Sequence, residues 1–279
     1  MRTRPDCASL PCDSMAADFS LTFLGTGTST GVPVIGCTCA TCLSADARNK
    51  RTRSSILLCA PEATLLVDSG PDLREQALRE GLTSIDAVLY THGHLDHVTG
   101  FDDLRAFCWH RDAPMPMHAT AACMATLKSM FGWAFSEENT HRGYVKPDPR
   151  IIDGPFSFGD LCITPLPVEH ASIETIGFLF EHPGCRSVAY VPDVKRFPDA
   201  TLDLIRGVDV LIVDSLGPFQ HPTHLSNDEA LAVIEACAPE SAWLTHLGHK
   251  NEQVELDGSL PAHVRTSYDG LKLNLANLA

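Results

Sequence analysis

Thr91-His92-Gly93-His94-Leu95-Asp96-His97 is the stretch that decides the fold. Before it, Ile85-Asp86-Ala87-Val88-Leu89-Tyr90 reads as a short buried strand, and after it residues 98–109 read as a helix. The motif therefore occupies a strand-to-helix turn. His92 and His94 are two residues apart in extended chain, so they point the same way and can grip one metal. Asp96 and His97 lie at the turn into the helix and can reach a second. Imidazole suits zinc, manganese or iron, and a carboxylate shifts the choice towards harder ions. Two such ions roughly 3.5–4 Å apart can hold a bridging hydroxide and steady the attacking and leaving oxygens of a displaced ester. The competing reading is a histidine-rich surface turn that binds nothing. Three histidines and an aspartate on one strand–turn–helix unit favour the metal.

The chain of 279 residues can bury a large core and fits one α/β domain. Its 21 basic residues against 35 acidic ones give a net charge of −14. That argues against a nucleic-acid partner, because phosphate backbones demand Lys and Arg. A small anionic ligand stays admissible, since bound cations supply local positive charge. No run approaches the ~18 apolar residues of a membrane span, so no membrane partner is expected. Residues 1–18 carry Arg2 and Arg4 but no apolar stretch, and do not read as a secretory signal. They are expected to be a flexible leader, with Met1 or Met15 as the start, ahead of one domain over 19–279 in the cytoplasm.

Phe19 to Leu24 alternates as a first strand and runs into Gly25-Thr26-Gly27-Thr28-Ser29-Thr30-Gly31. That loop lacks a P-loop lysine and dinucleotide spacing, so a tight turn and a phosphate contact both stay open. Gly36-Cys37-Thr38-Cys39-Ala40-Thr41-Cys42 offers three thiolates to one tetrahedral metal, with a fourth ligand from far along the chain. A redox pair is the rival, disfavoured because such pairs open a helix in a thioredoxin-like setting. The basic run from Arg48 to Arg53 reads as solvated surface. Asp68 ends a strand, where it can orient a metal-bound histidine. Met115-Pro116-Met117-His118 reads as an edge strand, since proline cannot donate to a central ladder. Residues 119–131 read as a helix and 132–150 as irregular. His170, Asp193 and Asp214 each close a strand. His224 precedes a helix over 227–237, capped by Ser226 with Glu229 three residues on. A last apolar strand ends in His246 and His249. Histidine or aspartate thus recurs at strand ends through two runs of strands and helices. The pattern predicts two sheets face to face, helices outside, and a metal site along one edge.

The Thr91–His97 motif, followed by His170, Asp193 and His246 in that order, resembles the metallo-β-lactamase superfamily over about residues 19–275. The resemblance implies an α/β fold, the αβ/βα four-layer sandwich. It implies a first metal held by His92, His94 and His170, a second by Asp96, His97 and His246, and Asp193 bridging them. Gly25-Thr26-Gly27, Gly31-Val32-Pro33 and the cysteine loop resemble the PhnP-type phosphodiesterases. In that group three cysteines and a late histidine hold a structural zinc, which here would be Cys37, Cys39, Cys42 and His249. Those enzymes hydrolyse phosphoribosyl cyclic phosphate and cyclic nucleotides, often with manganese. Thr223-His224-Leu225-Ser226, followed by Glu229-Ala230, resembles their substrate-binding histidine segment and that of tRNase Z. His224 would contact the phosphoryl oxygens and protonate the leaving group, and Asp96 would accept a proton from the nucleophilic water. The resemblance therefore implies a dinuclear phosphodiesterase that cleaves a small or cyclic phosphodiester with a hydroxide bridging two manganese or zinc ions. A homodimer is compatible with it. A tRNase Z-like nuclease is disfavoured by the acidic charge and the lack of a basic arm. A non-hydrolytic PqqB-like metal-binding protein is disfavoured because the full ligand set is present.

Overall fold

The computed structural model describes residues 19–109 and 111–276. The expected leader, residues 1–18, lies outside the described residues. Six strands come first: β1 (Ser20–Gly25), β2 (Ser55–Cys59), β3 (Thr64–Val67), β4 (Ala87–Leu89), β5 (Met115–Ala119) and β6 (Pro147–Ile151). Then follow β7 (Phe156–Phe158), β8 (Leu161–His170), β9 (Ile173–Glu181), β10 (Val188–Val191), β11 (Val210–Asp214), β12 (Ser241–Thr245), β13 (Val264–Thr266) and β14 (Lys272–Asn274). They form two seven-stranded sheets, ordered β14-β1-β2-β3-β4-β5-β6 and β13-β12-β11-β10-β9-β8-β7. Each sheet is mixed: β3 to β6 run parallel, as do β10 to β13.

Period-two alternation sorts every buried strand between two layers of core. On β2, Ile56 and Leu58 face the other sheet, where they join Phe23, Leu65, Phe178, Phe180 and Ile212. Leu57 and Cys59 point outward and join Leu73, Phe101, Met124 and Leu127 beneath the helices on that side. The second sheet does the same, with Leu211, Val213 and Leu244 meeting Ile234 of the helix Asn227–Cys237. The result is the four-layer α/β sandwich that the motif pattern implies. The capping box forms as read: Ser226 Oγ accepts from Glu229 N and Glu229 Oε2 from Ser226 N. Among the described residues no helix is long and apolar enough to cross a membrane.

Three local expectations need correction. β5 is not an edge strand but lies between β4 and β6. Pro116 is tolerated because pairing with β4 starts one residue later, at Val88↔Met117. The carbonyls of Ile85 and Asp86 take donors from the Arg111 guanidinium instead. Second, residues 132–150 are not all irregular: Gly132–Phe135 is a short helix and β6 forms the edge. Ile152 N donates to Ala119 O, so by alternation Pro147 and Pro149 turn their missing N–H groups to the free edge. Third, the helix expected over 98–109 is broken into Leu95–Val98, a 3₁₀ turn Phe101–Leu104, and Arg105–Cys108. Gly100 N and His97 O are both claimed by Ser69, at 2.8 Å each, which interrupts the helical ladder.

That interruption depends on close backbone packing. A Cβ at Gly100 would meet Gly70 O, and one at Gly70 would meet Asp96 O. Gly100→Ala is therefore expected to destabilise the fold by about 1–3 kcal/mol, read as a lower urea midpoint at unchanged slope.

Candidate metal centre

Parallel strands all end at one edge, and the loops beyond those ends carry the polar groups. β3 delivers Asp68, β4 the Thr91–His97 loop, β8 His170, β10 Asp193, β11 Asp214 and β12 His246. The loop is fixed from beneath by Asp68. Its carboxylate accepts from Thr91 N at 2.9 Å, Thr91 Oγ1 at 2.8 Å and His97 Nδ1 at 2.7 Å. His97 thereby presents Nε2, which lies 3.4 Å from Asp96 Oδ2 and 3.2 Å from Asp193 Oδ1. Thr91 Oγ1, 2.9 Å from His92 Nδ1, leaves His92 Nε2 facing inward. His170 Nδ1 donates to Thr223 O at 2.8 Å, turning its Nε2 into the same space.

Two groups of donors result. His94 Nδ1 lies 3.0 Å from His92 Nε2 and 3.3 Å from His170 Nε2. Nitrogens bound tetrahedrally to one zinc at its usual bond length sit roughly 3.3 Å apart. Asp96, His97 and His246 form the second group. Asp193 lies between the two: its Oδ2 is 3.9 Å from His92, 3.7 Å from His170 and 3.4 Å from His246.

The electrostatics of this edge call for cations. Asp68, Asp193 and Asp214 are buried and Asp96 nearly so. Among the described residues every ion pair these four make is with a histidine. Buried charge without a counter-ion is expensive. Without cations the histidines must compensate. Burial opposes the charged form of His246, yet Asp193 and Asp214 lift it to about 10. Burial opposes His97 likewise, and Asp193, Asp68 and Asp96 hold it well above its usual value. Burial and the neighbouring His97 keep His92 well below its own, in the neutral form a ligand needs. His97 Nε2, His246 Nε2 and Asp193 Oδ1 are also buried without a hydrogen-bond partner. Orphaned donor atoms converging on one space, with neutral imidazole and carboxylate chemistry, fit divalent cations.

A separate cluster gathers at the cysteine loop. His249 Nδ1 lies 3.2, 3.6 and 3.8 Å from the sulfurs of Cys37, Cys39 and Cys42. Typical zinc–sulfur and zinc–nitrogen bonds in a tetrahedron give an S···N edge of about 3.5 Å. The Cys42 backbone N–H lowers the Cys39 thiol to about 6, towards the thiolate that binds metal.

His224 joins the first edge rather than standing apart. Its Nδ1 donates to Asp214 Oδ2 at 2.8 Å, and its ring stacks on His246 with centroids 4.6 Å apart. The sequence marks Asp214 only as a strand terminus, yet it anchors His224 and comes within 3.7 Å of His246 Nδ1. The signal was there, a strand-final aspartate like Asp68. Arg51 departs from expectation too. The basic run is not simply solvated, since Arg51 is 2% exposed and donates to Asn251 O.

Residues 63–247 match the family model of the β-lactamase superfamily domain. The chain belongs to the metallo-β-lactamase superfamily. The solved structure of a diphosphatase from the PhnP family is 35% identical, with a TM-score of 0.84 over 93% of this chain and 98% of that one. The octanoyltransferase of Porphyromonas gingivalis is 34% identical over 89% of this chain, which spans 50% of that relative's length. Coenzyme PQQ synthesis protein B of a Methylobacterium species is 32% identical over 68% of this chain and 71% of its own.

Two variants probe the two clusters. Asp68→Asn removes the charge that orients His97 and is expected to weaken metal affinity about 10–100-fold, measured by competition against a chelator. Cys39→Ser is expected to lose one metal ion per chain, by elemental analysis, while the metal content of the histidine–aspartate edge stays the same.

Proposed function

We propose that this chain is a metal-dependent phosphodiesterase acting on a small or cyclic phosphodiester, such as a phosphoribosyl cyclic phosphate or a cyclic nucleotide. His92, His94 and His170 would hold one ion, Asp96, His97 and His246 the other, with Asp193 shared. Cys37, Cys39, Cys42 and His249 would hold a structural zinc. The observation that carries the reading is the Asp214–His224 pair, set directly beside the histidine–aspartate edge. The 35% likeness to a PhnP-family diphosphatase supports it.

When bound, two divalent cations supply Lewis acidity towards phosphoryl oxygens and an activated water. The chain's own residues do the rest. Water attacks phosphorus in line with the departing oxygen. Asp96, the most open of the four carboxylates at 14% side-chain exposure, would take a proton from that water. As the P–O bond breaks, its electron pair stays on the leaving oxygen. His224, held through Nδ1 by Asp214, directs Nε2 to that oxygen and gives it a proton. The acidic surface suits a small substrate held by metals better than a long nucleic acid held by basic side chains.

The test is hydrolysis by the manganese-loaded protein of bis-p-nitrophenyl phosphate and a 2′,3′-cyclic nucleotide, beside a thioester and a β-lactam. Turnover confined to the phosphodiesters is the expected result. Turnover of the thioester or β-lactam alone, or of none with metals bound, overturns the reading. His224→Ala is expected to slow the cyclic nucleotide about 10²–10³-fold at unchanged metal content. The p-nitrophenyl ester, whose leaving group departs without a proton, should suffer less.

A further inference from the structure

Asn251 is 2% exposed and sits just beyond the turn that carries both His246 and His249. We propose that Asn251 is a positioning residue for His224, tying that turn to the Asp214 strand end and to the helix behind His224. The proposal rests on the phosphodiesterase reading for its catalytic meaning.

Every polar group of Asn251 is engaged. Its Nδ2 donates to Ser215 O at 3.0 Å and Leu216 O at 3.2 Å. Its Oδ1 accepts from Asn227 Nδ2 at 3.0 Å. Its N–H goes to Gly248 O at 3.1 Å, and its carbonyl takes Arg51 Nη1 at 2.8 Å. Ser215 and Leu216 directly follow Asp214. Asn227 opens the helix that follows His224 and accepts from Ser215 Oγ at 2.8 Å. Leu216 N donates to Leu225 O at 3.0 Å and Asn227 N to Gly217 O at 2.8 Å. The segment after Asp214 and the segment after His224 are thus laced side by side, and Asn251 bonds to both.

The 2.8 Å hydrogen bond between His224 and Asp214 depends on how far apart those two segments sit. Asn251 bonds to both segments and ties them to the His246–His249 turn. Arg51, which donates to Asn49 Oδ1 and Gln253 Oε1 as well, extends the lacing to the chain beyond the cysteine loop. The site demands an amide. Two N–H groups must meet two carbonyls while an oxygen meets Asn227. Aspartate offers no N–H and faces those carbonyls with charge; leucine leaves them unpaired.

Two variants test this: Asn251→Asp, and the milder Asn227→Ala at a half-buried position. Turnover of the 2′,3′-cyclic nucleotide is expected to fall about tenfold or more, against less than about threefold for bis-p-nitrophenyl phosphate, at equal metal content. A second readout does not depend on turnover. The low-field Nδ1–H proton of His224, assigned by its loss in His224→Gln, should shift or broaden in both variants. An unchanged His224 signal in both variants overturns the proposal, as does an equal fall on both substrates. If the wild-type protein cleaves neither phosphodiester, the functional reading fails, and the imidazole signal alone decides the role of Asn251.

Discussion

Buried carboxylates that face histidines and no lysine or arginine are the constraint from which the rest of the molecule follows. Asp68 and Asp96 come from the first sheet's side, Asp193 and Asp214 from the second. None of them could keep its charge in so dry a place without compensation. The compensation must bridge both sheets, because His97 answers to Asp68 and Asp193 together. The polar edge and the apolar seam therefore support one another. Phe178, Tyr190 and Val67 hold the sheets together below, and the histidine–aspartate lattice holds their ends above.

Much of this was legible because strand ends are legible. A short apolar run followed by aspartate or histidine marks a strand that stops where the backbone must turn, and parallel strands stop on the same side. That rule places His92, His170, Asp193 and His246 near one another from the sequence alone. It places Asp214 as well, but an aspartate that bonds a histidine ten residues on leaves no pattern in a linear chain. Pro116 misled for a physical reason. Proline excludes only the ladder bond that its own nitrogen would make, and here that bond falls just outside the β4 pairing. Residues 132–150 read as irregular, yet Pro147 and Pro149 fit an edge strand because only one side of it needs donors. Arg51 was read as solvated because a charge run usually is. Its guanidinium is met by the carbonyl of Asn251, two hundred positions later, which no local window contains.

The separation of the two donor clusters is itself informative. The cysteine loop and His249 bring soft sulfur donors; the edge beneath Asp193 brings imidazole and carboxylate. Soft and borderline donors discriminate between divalent ions differently. The two clusters share one short turn, His246 to His249, but not one donor atom.

Among the described residues the first strand, β1, pairs with the last, β14. Ser20 stands opposite Asn274, and Asp269 accepts hydrogen bonds from both Thr26 and Thr52. Because every other described strand lies between them in sequence, the outer edge of β1 is covered only once β14 has been made. Until that moment the row of unpaired backbone groups along β1 is open to other strands, from the same polypeptide or from a neighbour. Closing that edge of the first sheet therefore waits on β14, whatever order the other strands pair in.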